Sequence, residues 1–80
     1  MNILSAIARI DEFLSKYSNR NEYYLVVDKN DYNEKKDSSK PYCAEIQDDE
    51  CSSYWIDDTT KAEAYGETLS DAIINLARKL

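Results

Sequence analysis

Apolar side chains at helical spacing mark both ends of this chain, and strand chemistry fills the stretch between them; few folds fit that arrangement. Ile3, Ile7, Ile10, Leu14 and Tyr17 advance by alternating steps of four and three, and Ala6 and Phe13 widen the stripe. Arg9, Asp11, Glu12, Ser15 and Lys16 supply the wet face, so residues 2 to 17 should form an amphipathic helix. Ser18–Asn19–Arg20–Asn21 ends it with turn-forming side chains. At the other end Thr68 reads as an N-cap, with Asp71 in the role usually held by Glu or Gln in a capping box. Ile73, Leu76, Ala77 and Leu80 form the stripe of the second helix, and Arg78 and Lys79 complement the negative end of its dipole.

Residues 22 to 29 are β-branched and aromatic, with Tyr23, Leu25 and Val27 on one face and Tyr24 and Val26 on the other. An apolar pattern on both faces predicts a central strand, or one covered on both sides. Residues 30 to 40 are polar and charged around Tyr32 and should form a loop. Pro41 opens a second strand with Tyr42, Ala44 and Ile46 inward and Cys43, Glu45 and Gln47 outward. Asp48 to Ser52 should turn, Ser53 to Asp57 should form a third strand, and Lys61 to Tyr65 a short fourth, with Gly66 ending the sheet. The expected architecture is α+β, a single domain over residues 1–80 in the order α-β-β-β-α. Its antiparallel sheet has three or four strands, and helices pack on it.

Charge is unevenly distributed. Residues 41–77 carry nine acids against Lys61 alone, whereas residues 1–40 balance seven acids with seven bases; the whole chain is −6. Phosphate contacts need clustered Lys and Arg, so direct binding to nucleic acid or to an anionic membrane is not expected. The chain has no histidine, which removes Ser/His and Cys/His nucleophile pairs, and a small core has little room for a carboxylate cleft. No enzyme activity and no cofactor are expected. Asp28, Asn30 and Tyr32 begin like a calcium loop, but Asn33 and Ser39 stand where Gly and Glu are required, so no metal site is expected either. The longest apolar run, Tyr23 to Val27, is far short of the roughly 20 residues that span a bilayer. Without a basic leader, the expected location is the cytoplasm. A hairpin turning near Asp48 to Cys51 would put Cys43 opposite Ile56, out of disulfide range of Cys51, so both thiols are read as reduced.

The acidic stretch has two readings. A net charge of −6 lies within the range that solubility alone accounts for. A contact surface is the other: Asp48, Asp49 and Glu50 at one hairpin end, Asp57, Asp58 and Glu63 further on, and Trp55 between them. Aromatics anchor interfaces with little entropy loss, while acids steer a basic partner. Such a surface would stand in for DNA in a groove that normally holds phosphates. Tyr32, in the charged loop, is a further candidate contact, whereas Tyr17, Tyr23 and Tyr42 fall on core stripes.

The segment Ala64–Tyr65–Gly66–Glu67–Thr68–Leu69–Ser70–Asp71–Ala72–Ile73, with Trp55 upstream, resembles the phage ABA-sandwich group of small proteins, in which a sheet lies between helices. Gly66 to Ala72 is also similar to the Gly-[Asp/Glu]-Thr-Leu-x-[Glu/Asp]-Ala segment of the HicB antitoxin amino-terminal domain, though that family's preceding Pro-Asp-x-Pro-Gly stretch is missing. The phage resemblance implies a stoichiometric inhibitor of host defence, of the anti-CRISPR kind. Its partner would be a basic host protein or nucleoprotein such as a CRISPR effector. The HicB resemblance implies an antitoxin that neutralises a small basic toxin.

Overall fold

In a computed structural model of the chain, which describes residues 1–17, 23–29 and 40–80, the first helix (α1, Ile3–Tyr17) starts on Asn2. The Asn2 side-chain Oδ1 accepts the Ser5 N–H at 2.8 Å, satisfying one of the orphan donors of the first turn. The predicted stripe is present but rotated: Ala6 and Ile10 are buried, Phe13 and Leu14 pack partly, and Ile7 faces outward at 47% exposure.

Three strands follow: β1 (Tyr24–Lys29), β2 (Tyr42–Gln47) and β3 (Glu63–Gly66), ordered β1-β2-β3 and antiparallel throughout. The α+β fold and its α-β-β-β-α order are as the sequence predicts. Two placements differ. The strand at 22–29 is an edge of the sheet, not its centre, and β2 takes the middle. The third strand is Glu63–Gly66, and the segment expected to fill that place, 53–57, makes only two isolated bridges, Gln47 to Ser53 and Trp55 to Lys61. The hydrogen bonds of Ile46 explain this. Its carbonyl accepts from the Tyr54 N–H at 2.9 Å, but its own N–H donates to the Ala62 carbonyl at 2.9 Å, so β2's remaining edge passes to 62–66. Residues 53–61 become a side arm that closes where the Ile56 N–H meets the Thr60 carbonyl at 2.8 Å.

The second helix (α2, Leu69–Lys79) starts as the sequence predicts, with Thr68 Oγ1 accepting the Asp71 N–H at 3.1 Å. It lies across β2 and β3 and against α1. Contact is close because the buried core is largely alanine: Ala6, Ala44, Ala62, Ala64, Ala72 and Ala77 surround Ile10, Ile46 and Leu76. Gly66 is part of this closeness, since a Cβ there would stand 2.4 Å from the Ala72 backbone nitrogen. Larger side chains close the rim. Tyr54 stacks edge-on against Phe13 and Tyr23, with ring centroids 5.3 and 5.0 Å away.

Two side chains of α2 also reach the outer edge of β3. Asn75 Nδ2 donates to the Tyr65 carbonyl at 2.8 Å, and Lys79 Nζ donates to the Glu63 carbonyl at 2.6 Å. Both acceptors would otherwise face a visiting strand.

Candidate protein-binding face

Cross-strand partners in an antiparallel sheet point to the same side, so the register divides the side chains into two sets. Leu25, Val27, Ala44, Ile46 and Ala64 face α2 and the core. The opposite side carries Tyr24, Val26 and Asp28 from β1, Cys43, Glu45 and Gln47 from β2, and Glu63 and Tyr65 from β3. The bridges from Gln47 to Ser53 and from Trp55 to Lys61 add Ser53, Trp55 and Lys61 to this side. Among the described residues, no helix lies over it.

Glu45 and Glu63 are direct cross-strand partners, an arrangement of like charges that disfavours the pairing unless something compensates. Glu45 is held by two neutral donors: Gln47 Nε2, and Ser53 Oγ at 2.8 Å. Glu63 lies 3.5 Å from the Tyr65 hydroxyl. Burial raises the Tyr65 hydroxyl above its ordinary value, and the Glu63 charge adds to the shift. Burial also pushes the Cys43 thiol up to about 12, with Glu45 and Glu63 next in effect. Cys43 lies opposite Asp28 and Tyr65, not Ile56, and both cysteines are free thiols. Trp55 is half exposed, and the Lys61 ammonium stands 5.3 Å from its ring centroid.

The acids singled out from sequence split by role. Asp48 builds its turn, with Oδ1 accepting the Glu50 and Ser52 N–H groups at 2.9 and 3.0 Å. That turn sets Cys51 at φ 64°, a left-handed conformation uncommon outside glycine. Asp57 likewise organises the tip of the side arm, accepting the Thr59 N–H at 2.9 Å, and this bond draws its carboxyl below the ordinary value. Asp49, Glu50 and Asp58 are exposed, and Glu63 and Trp55 share the open face. The 48–50 turn overhangs one corner of that face, close enough for Cys51, Asp48 and Asp49 to help desolvation raise the Tyr24 hydroxyl. Tyr32 lies outside the described residues. The structure thus brings Trp55 and Glu63 together with Glu45, Tyr65 and Lys61, which sequence reasoning did not single out. The period of two through Lys61, Glu63 and Tyr65 is the signal that would have found Lys61 and Tyr65, and Glu45 already reads as outward on its own strand.

Among the described residues, the one ion pair is Lys16 with Glu12 on α1, at 4.0 Å, so the carboxylates of 41–77 have no basic partner there. No group of three potential metal ligands occurs among the described residues, and no helix is long and apolar enough to cross a membrane. The fold and this face define a two-helix, three-stranded α+β arrangement in which, among the described residues, no helix covers one side of the sheet. Compared with family models, curated proteins and solved structures, the chain matches none.

Proposed function

We propose that this chain is a non-catalytic inhibitor that covers a basic, phosphate-binding groove of a nucleic-acid-binding complex, in the manner of an anti-CRISPR protein acting on a host effector. The observation that carries the reading is the open sheet face. Its half-exposed Trp55 and its tyrosines share that side with Asp28, Glu45 and Glu63, Asp48 and Asp49 stand near Tyr24 at one corner, and Lys61 is the one base on its described strand and bridge positions. Carboxylates with no basic partner among the described residues, set beside amphipathic rings, favour a cationic protein surface: the acids raise the rate of encounter, and the rings supply the buried contact.

Charge reversal tests the proposal. Asp49, Glu50, Asp58 and Glu63 are changed together to Lys, while Asp48 and Asp57 stay because their turns depend on them. The wild-type chain, immobilised, should retain nucleic-acid-binding proteins from a bacterial lysate, and added single-stranded DNA should release them. The reversed variant should retain none while melting within about 3 °C of wild type. The exposed substitutions at Asp49, Glu50 and Asp58 are worth roughly ±0.5 kcal/mol each, and Lys at the part-buried Glu63 position replaces a like-charge pairing with Glu45 by an opposite-charge one. Equal retention by the two proteins overturns the proposal. Retention of one small basic toxin that DNA does not release overturns it in favour of the antitoxin reading.

A further inference from the structure

We infer that Trp55 is a docking platform for an arginine side chain, and that Lys61 occupies the ring only until an arginine of the partner replaces it. The inference rests on the binding reading above and supplies the partner's chemistry: a basic segment laid across the open face and anchored by arginine.

The starting observation is that the ring already accepts a cation. Lys61 Nζ stands 5.3 Å from its centroid, within the distance at which the ring quadrupole attracts a positive charge. Half of the Trp55 surface is nevertheless exposed, so one ammonium leaves much of the ring uncovered. A groove runs past it, lined by Trp55, Thr59, Thr60, Lys61, Glu63 and Lys79. The second lysine of that groove is engaged elsewhere, because the Lys79 ammonium donates to the Glu63 main-chain carbonyl at 2.6 Å. The Glu63 carboxylate, by contrast, has no basic partner among the described residues and faces Glu45 across the ladder.

Arginine fits this site and lysine does not improve on what is there. A guanidinium is planar and weakly hydrated, so it can stack flat on the indole while its fork reaches a carboxylate at the same time. An ammonium is compact and strongly hydrated, and an incoming lysine would compete with Lys61, which is already tethered at high effective concentration. A guanidinium directed from Trp55 towards Glu63 would also relieve the like-charge opposition of Glu45 and Glu63.

Trp55 is the one tryptophan of these 80 residues, so its fluorescence reports the site directly in the intact chain. The probes are deca-arginine and deca-lysine peptides. Deca-arginine should shift Trp55 emission and bind more tightly than deca-lysine. Lys61→Met should tighten deca-arginine binding by about two- to fivefold, the worth of one exposed cation–π contact, while the preference over deca-lysine persists. Glu63→Gln should narrow it. Lys61→Gln serves as a second variant should Met alter the fold, with thermal melting as the check on both. Equal affinities for the two peptides, or a deca-arginine affinity that neither Lys61 variant raises, overturn the inference and leave only general charge attraction. The two proposals fail separately. Loss of capture on charge reversal together with indifferent peptides removes the arginine platform alone, whereas unaltered capture removes the binding reading.

Discussion

The two thiols illustrate how neighbours decide what one residue can do. Cys43 is half buried among Glu45, Glu63 and Asp28, and burial first, then those charges, push its thiol up to about 12. The folded state therefore holds the proton that the unfolded chain releases near 9.0, so stability contributed by Cys43 is complete below that value and declines as pH rises from there towards 12. Cys51 is exposed on its turn. At pH ~8, an alkylating reagent should label Cys51 in the native protein and Cys43 only after unfolding, as read by mass spectrometry; thiolate, not thiol, is the reactive form. Equal labelling of the two in the native state would contradict this placement. Side-chain direction in β2 was legible beforehand, because Tyr42, Ala44 and Ile46 alternate with Cys43, Glu45 and Gln47 in a strict period of two. The surroundings of Cys43 were not legible, since they depend on which strand lies beside it.

Elements with local signals were read well. The Thr68 cap needs only its own turn to form, and both helical stripes repeat over enough residues to stand out. Strand β3 was harder. Glu63–Ala64–Tyr65–Gly66 is short and poor in β-branched residues, whereas Tyr54–Trp55–Ile56 has the composition of a strand and lost the position at β2. Helix packing favours this outcome, because the small Ala62 and Ala64 let α2 settle close over the sheet, and a bulky strand there would hold it away. Gly66 is the tightest point of that approach. Gly66→Ala places a methyl 2.4 Å from the Ala72 nitrogen, which neither backbone can yield without shifting. The expected loss is about 2–3 kcal/mol, seen as a fall in Tm of roughly 10 °C or more. A melting point unchanged from wild type would mean that α2 does not sit this close to β3.

At the scale of the molecule, the first forty residues are electrically balanced while the rest carries the excess of acid, and the fold gathers part of that excess on one side of the sheet. Opposite charges on two partners attract over a distance set by salt. Raising ionic strength from about 0.1 M to about 1 M shortens the Debye length from about 10 Å to about 3 Å. Association with a captured basic partner should slow by one or more orders of magnitude across that range, and dissociation should change much less. Surface plasmon resonance separates the two rates, and a salt-independent association rate would rule out electrostatic steering. The imbalance itself was plain from the residue order. Which carboxylates would share a surface, and which would be spent holding turns as Asp48 and Asp57 are, required the three-dimensional register.

Asn75 and Lys79 have a further effect through the carbonyls they occupy. A peptide arriving at the β3 border finds those acceptors taken, so it cannot zip on through main-chain bonds that any sequence could make. Whatever engages the broad side of the sheet must read side chains instead. Recognition of that kind can be retuned one substitution at a time while the scaffold beneath stays untouched.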